Sequence, residues 1–135
     1  MPFDLEEEAL RASGVQEAGL LREYKSRLER LYSEFELEMK PSPDYVSIAG
    51  ALFDWLWVKK PARYEHGGSY RLNEVIDSQL SKGNEAVGNC LGLTLLYNCV
   101  LRRAGVNAVA VDLENAFGRG PHVLSTLVRG ESTIE

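Results

Sequence analysis

The chain has 135 residues, 44% of them hydrophobic, enough for one hydrophobic core and too few for two ordinary domains. Its 15 Lys and Arg against 20 Asp and Glu give a net charge of -5, which disfavours nucleic acid or an anionic membrane as the main partner. The N-terminus lacks the basic and apolar regions of a signal peptide, and no apolar run reaches the ~20 residues that span a bilayer, so a soluble, cytoplasmic protein is expected.

Residues 1–60 read as helical. Asp4 caps a short first helix, with Glu7 three positions on completing a capping box, and Ser13 and Gly14 end it. A longer helix follows on the recurrence of Leu20, Tyr24, Leu28, Leu31, Tyr32 and Phe35, stopped by Pro41 and Pro43. Asp44 caps a third, whose apolar residues Val46, Ile48, Ala49, Leu52, Phe53, Leu56 and Trp57 are too broadly spread for one face, so packing on both sides is expected. Trp55 and Trp57 point to different sides of it, as core and interface anchors. The acidic run Glu6, Glu7 and Glu8 reads as a solvated face.

A loop containing Gly67 and Gly68 leads to a short helix from about Leu72 to Ser81, ended by Gly83. From Cys90 to Ala104 the chain is apolar nearly all round, the mark of a central buried helix, with Gly105 as its stop and Arg102 and Arg103 at the negative end of its macrodipole. The period then changes. Val106–Leu113, His122–Val128 and Ser132–Glu135 read as strands, the last two joined by a turn at Gly130 and Glu131. The expected fold class is α+β: N-terminal helices and a buried Cys-bearing helix packed against a small antiparallel sheet, in a single domain over residues 1–135.

Cys90 and Cys99 on one helix are about 13 Å apart along its axis and face opposite ways, which excludes a disulfide between them. Both are expected as free thiols. Cys90 stands at a helix N-terminus, where unpaired backbone N–H groups favour the thiolate, and small residues in Gly88-Asn89-Cys90-Leu91-Gly92 leave room for a substrate carbonyl. Cys99, well inside the helix, reads as an inert core thiol. His122, after the loop Gly118-Arg119-Gly120-Pro121, is the candidate base.

The run from Gly88 through Tyr97, then Arg103-Ala104-Gly105, then Pro121-His122-Val123, resembles the transglutaminase-like superfamily, especially its bacterial and archaeal branch with a helical N-terminal region. Tyr70 to Ile76 resembles the part of that branch preceding the motif, so residues 69–135 correspond to the Cys/His core. The resemblance implies a papain-like scaffold, a Cys, His and acid triad, and acyl transfer through a thioester to water or an amine, with a peptide or protein amide as substrate. It calls for neither cofactor nor metal. A zinc site from Cys90, Cys99, His66 and His122 also lacks the usual paired spacing, and His66 reads as an exposed loop residue.

The third triad member is not evident. Glu135 on the last strand faces Thr126, about 13 Å along the strand from His122, beyond hydrogen-bond reach. Asp112 is a weak substitute, and the acid is otherwise expected past residue 135 in a longer protein. Asn84 is a possible oxyanion donor but reads better as a polar loop residue. The alternative to an enzyme is a non-catalytic binding or regulatory module on a degenerate scaffold of the same kind. A further reading gives the helical half, with its tryptophans, a role in assembly.

Overall fold

A computed structural model of the chain describes residues 4–38, 44–83, 85–113, 122–129 and 132–134, with side chains for 4–38, 44, 46–83 and 85–107. Helix α1, Leu5–Ala12, begins where the Glu7 N–H donates to Asp4 Oδ1 at 3.1 Å. It ends in a Schellman motif: Gly14 takes φ +105°, its N–H donates to Arg11 O, and the Val15 N–H donates to Leu10 O.

Helix α2, Ala18–Glu38, buries Leu21, Leu28, Leu31 and Phe35. The expected stripe was one residue out at its start, since Leu20 is 45% exposed and Leu21 takes the core position. Both choices fit a helical period. Tyr24 settles at the edge of the core, where its hydroxyl donates to Asp77 Oδ2 at 2.8 Å. Pro41 and Pro43 lie outside the described residues.

Helix α3, Tyr45–Lys59, is capped by Asp44, which accepts from Val46 N–H and Ser47 Oγ. Among the described residues it packs on one side, against the expectation of two. Ile48, Ala49, Leu52, Trp55 and Leu56 are buried, while Val46, Phe53, Trp57 and Val58 are exposed. Aromatic contacts, Phe53 with Trp57 at 5.9 Å and with Tyr97 at 6.4 Å, relieve part of that exposure.

Helix α4, Leu72–Leu80, has no side-chain cap of its own. Ser13 supplies one from the end of α1: its Oγ accepts the Leu72 N–H at 2.8 Å and donates to Ala9 O at 2.8 Å. Helix α5, Cys90–Arg103, ends in a second Schellman motif at Gly105, φ +84°, with Val106 N–H donating to Leu101 O. Each of the other four helices contacts α5, and Leu96, Cys99, Val100 and Leu101 lose all solvent contact.

The expected α+β class is corrected by this arrangement. The packed body, the residues whose side chains are described, is all-helical, with five helices and no strand or sheet within it. Every described core residue comes from these helices or from the segments that join or directly follow them, and the backbones of β1 and β2 also lie against α5. Beyond this body the backbone of three short strands is described: β1 (Ala108–Leu113), β2 (His122–Arg129) and β3 (Ser132–Ile134), antiparallel in the order β1-β2-β3. The alternating sequence there marks extended chain, but a sheet does not build the described core. The turn residues Gly130 and Glu131 lie outside the described residues.

At the far end of α5, Arg103 grips Glu6 with two charge-assisted bonds, Nε to Oε2 at 2.6 Å and Nη2 to Oε1 at 2.8 Å, and also reaches Glu29 and the Lys25 carbonyl. Glu6 therefore does not share the solvated face expected of the acidic run. No helix among the described residues is long and apolar enough to cross a membrane.

Arg103→Met should cost about 2–3 kcal/mol by leaving the Glu6 carboxylate largely buried and unpaired, read as a lower urea midpoint. Gly50→Ala should act oppositely. Gly50 lies in an exposed stretch of α3 with open space where a Cβ would sit, so alanine should raise stability by about 0.5–1 kcal/mol in the same assay.

Candidate functional site

Cys90 is the first residue of α5, and its side chain is neither buried nor fully exposed. The preceding residue, Asn89, is the N-cap: its Oδ1 accepts the Gly92 N–H at 2.9 Å and its carbonyl accepts the Leu93 N–H at 2.9 Å. The N–H groups of Cys90 and Leu91 between them find no acceptor among the described residues. Two unclaimed donors thus flank the thiol at the positive end of the helix dipole.

The segment before α4 holds this helix head in place. Val87 N–H and Gly88 N–H both donate to the Arg63 carbonyl, at 2.8 and 3.2 Å, and Glu65 N–H donates to the Gly88 carbonyl. Asn89 N–H donates to the Ser69 carbonyl at 3.0 Å. Ser69 is itself fixed, its Oγ accepting the Arg71 N–H and donating to Glu74 Oε1.

The glycines have a role that sequence reasoning missed. A Cβ on Gly92 would lie 2.5 Å from the Ser69 carbonyl oxygen and 2.8 Å from Val75 Cγ2, and one on Gly88 would lie 2.7 and 2.9 Å from the same atoms. The room expected for a substrate carbonyl is, on this side of Cys90, filled by the protein's own Ser69 carbonyl and Val75 methyl. The available signal was Gly92 at the third position of a helix, where alanine is preferred unless another backbone comes close.

Arg63 braces the same loop. Its buried guanidinium donates from Nη1 to the Leu56 carbonyl at 2.9 Å and lies 5.9 Å from the Trp57 ring, and loss of water lowers its pKa to about 10. Cys99 is fully buried, and burial pushes its thiol pKa far up, so it stays protonated across the neutral range, as expected of an inert core thiol. Both cysteines are free.

His122 opens β2 and pairs with Leu113. Its side chain lies outside those described, so the structure does not place the imidazole against Cys90. Asp112 pairs with Val123, one residue out of register with His122 rather than opposite it, and its side chain is likewise outside those described. Glu135 and Asn84 lie outside the described residues. His66 is exposed, with Nδ1 3.5 Å from the Tyr64 hydroxyl. Among the described residues no group of three His, Cys, Asp or Glu side chains is placed to hold a metal ion.

Compared with family models, curated proteins and solved structures, the chain matches none.

Gly92→Ala should destabilise the protein by about 1–3 kcal/mol, because neither the Ser69 carbonyl nor the buried Val75 can withdraw without disturbing the seat of α5. Asn89→Ala should cost about 1 kcal/mol through loss of the N-cap. Equilibrium unfolding of both variants checks the two values and their order.

Proposed function

We propose that Cys90 is the nucleophile of a cysteine-dependent acyl transfer, in its simplest form hydrolysis of an amide or peptide bond. The observation that carries this reading is the partly exposed thiol at the head of α5 beside two backbone N–H groups that find no acceptor among the described residues. Attack of Sγ on a carbonyl carbon turns its oxygen into an oxyanion, and the Cys90 and Leu91 N–H groups are assigned as its donors. Collapse of the oxyanion breaks the C–N bond and expels the amine, which takes up the proton drawn from the thiol, and the thioester is then attacked by water or an amine to release the acyl product and the free Cys90 thiol. His122 is assigned the proton transfer, and a peptide or protein amide is the substrate class. The order of residues from Gly88 to Gly92 and on to His122 keeps the transglutaminase-like resemblance within this proposal, which does not depend on a papain-like sheet. A reducing, cytoplasmic setting belongs to the same reading, since it preserves the thiol.

A second reading has a specific observation behind it. The spaces beside Cys90 at Gly88 and Gly92 are occupied by Ser69 and Val75, which suits a binding or regulatory module with a retained cysteine.

Iodoacetamide labelling of the folded protein, with the modified residue identified by mass spectrometry, separates the two. The enzyme reading expects Cys90 to be alkylated faster than free cysteine at neutral pH, to slow in His122→Gln, and Cys99 to stay protected until the protein unfolds. A Cys90 that reacts no faster than free cysteine, with no effect of His122→Gln, favours the binding module.

A further inference from the structure

The side of α5 that carries Cys90 is the side turned to α3. Tyr97 lies seven residues after Cys90, which brings the helix back to within about 20° of the same direction and about 10 Å further along its axis. The Tyr97 hydroxyl donates to the Ala49 carbonyl at 2.7 Å, and its ring meets Phe53 edge-on at 6.4 Å. The two helices run antiparallel. Arg63 donates to the Leu56 carbonyl, further along α3, while its own carbonyl accepts the N–H of Gly88, just before the head of α5.

From Phe53 the rings continue along α3 toward the Cys90 end. Trp57 stacks 5.9 Å from Phe53 and lies eight residues, about 12 Å, beyond Ala49. That rise brings it about level with Cys90, one interhelix spacing of about 8–10 Å away. Phe53 is 52% exposed and Trp57 37%, yet neither ring is loose. Phe53 bears on Tyr97, and the buried Arg63 guanidinium lies 5.9 Å from the Trp57 ring. Rings held from behind with an open face offer apolar area at a small entropic cost of ordering.

We infer that Phe53 and Trp57 form a specificity subsite for Cys90: the peptide amide attacked there carries, on its acyl part, an aromatic or large aliphatic group about 8–10 Å from the carbonyl carbon. This rests on the acyl-transfer reading of Cys90. The acyl part is assigned because it stays on the protein through both formation and release of the thioester, whereas the amine departs in the first step.

The test uses p-nitrophenyl esters, each of which releases p-nitrophenolate as its acyl group passes to the Cys90 sulfur. The burst rate constants for the 5-phenylpentanoate, whose ring sits at about the right distance, and for the acetate are each divided by the ester's rate with free cysteine. The 5-phenylpentanoate should then be favoured by at least about tenfold, the scale of a filled apolar pocket. In Trp57→Ser and in Phe53→Ser that preference should fall toward one; read as a ratio on a single protein, it is not moved by partial loss of folded material. Val58→Ser should keep it, since Val58 is exposed but turned about 100° round α3 from Trp57. A ratio near one in the unaltered protein, or a preference that survives both Trp57→Ser and Phe53→Ser, overturns the subsite and leaves acyl transfer at Cys90 standing. Absence of any burst from Cys90 with both esters overturns the two together.

Discussion

The structure depends on the seating of one backbone carbonyl. Ser69 O accepts the Asn89 N–H and rests where side chains on Gly88 and Gly92 would be, so the chain before α4 lies directly on the head of α5. That contact brings Val75 of α4 against Gly88 and Gly92 and fixes the position of Cys90 as the first helical residue. It also consumes the Asn89 N–H, while those of Cys90 and Leu91 find no acceptor among the described residues. A single close approach thereby positions the thiol and leaves it with donors of its own.

Around that seat, long-range polar bonds do what short loops do in simpler bundles. Ser13 at the end of α1 caps α4, and Arg71 Nη1 returns a bond to the Ser13 carbonyl at 2.9 Å. Arg103 ties the tail of α5 to α1 and α2, and the Tyr97 hydroxyl donates to the Ala49 carbonyl of α3 at 2.7 Å. Such bonds between elements distant in sequence select one arrangement of helices whose apolar faces alone would pack in several ways.

Much of the helix layout was legible in the sequence because its signals are local. Asp4, Asp44 and Asn89 stand at helix starts, and Gly14 and Gly105 take the left-handed conformation that ends a helix. What the sequence hid depends on partners far along the chain. The choice between Leu20 and Leu21, the bare outer side of α3 and the burial of Glu6 beneath Arg103 are set by neighbours rather than by period. The same limit misled the reading of fold class: an apolar helix demands cover on every side, but composition does not say whether helices or a sheet provide it. At the site, the helix-head cysteine and the buried one were distinguishable by position, whereas Gly88 and Gly92 look the same whether their space is kept for a substrate or taken by Ser69.

The central claim is that Cys90 forms a thioester with an acyl donor. Its most direct test is to mix the protein with p-nitrophenyl acetate, follow release of p-nitrophenolate and locate the acetyl group by mass spectrometry. The account predicts a burst stoichiometric with protein, one acetyl group on Cys90, and neither in Cys90→Ser. Acetylation elsewhere, or an equal burst from Cys90→Ser, would contradict it.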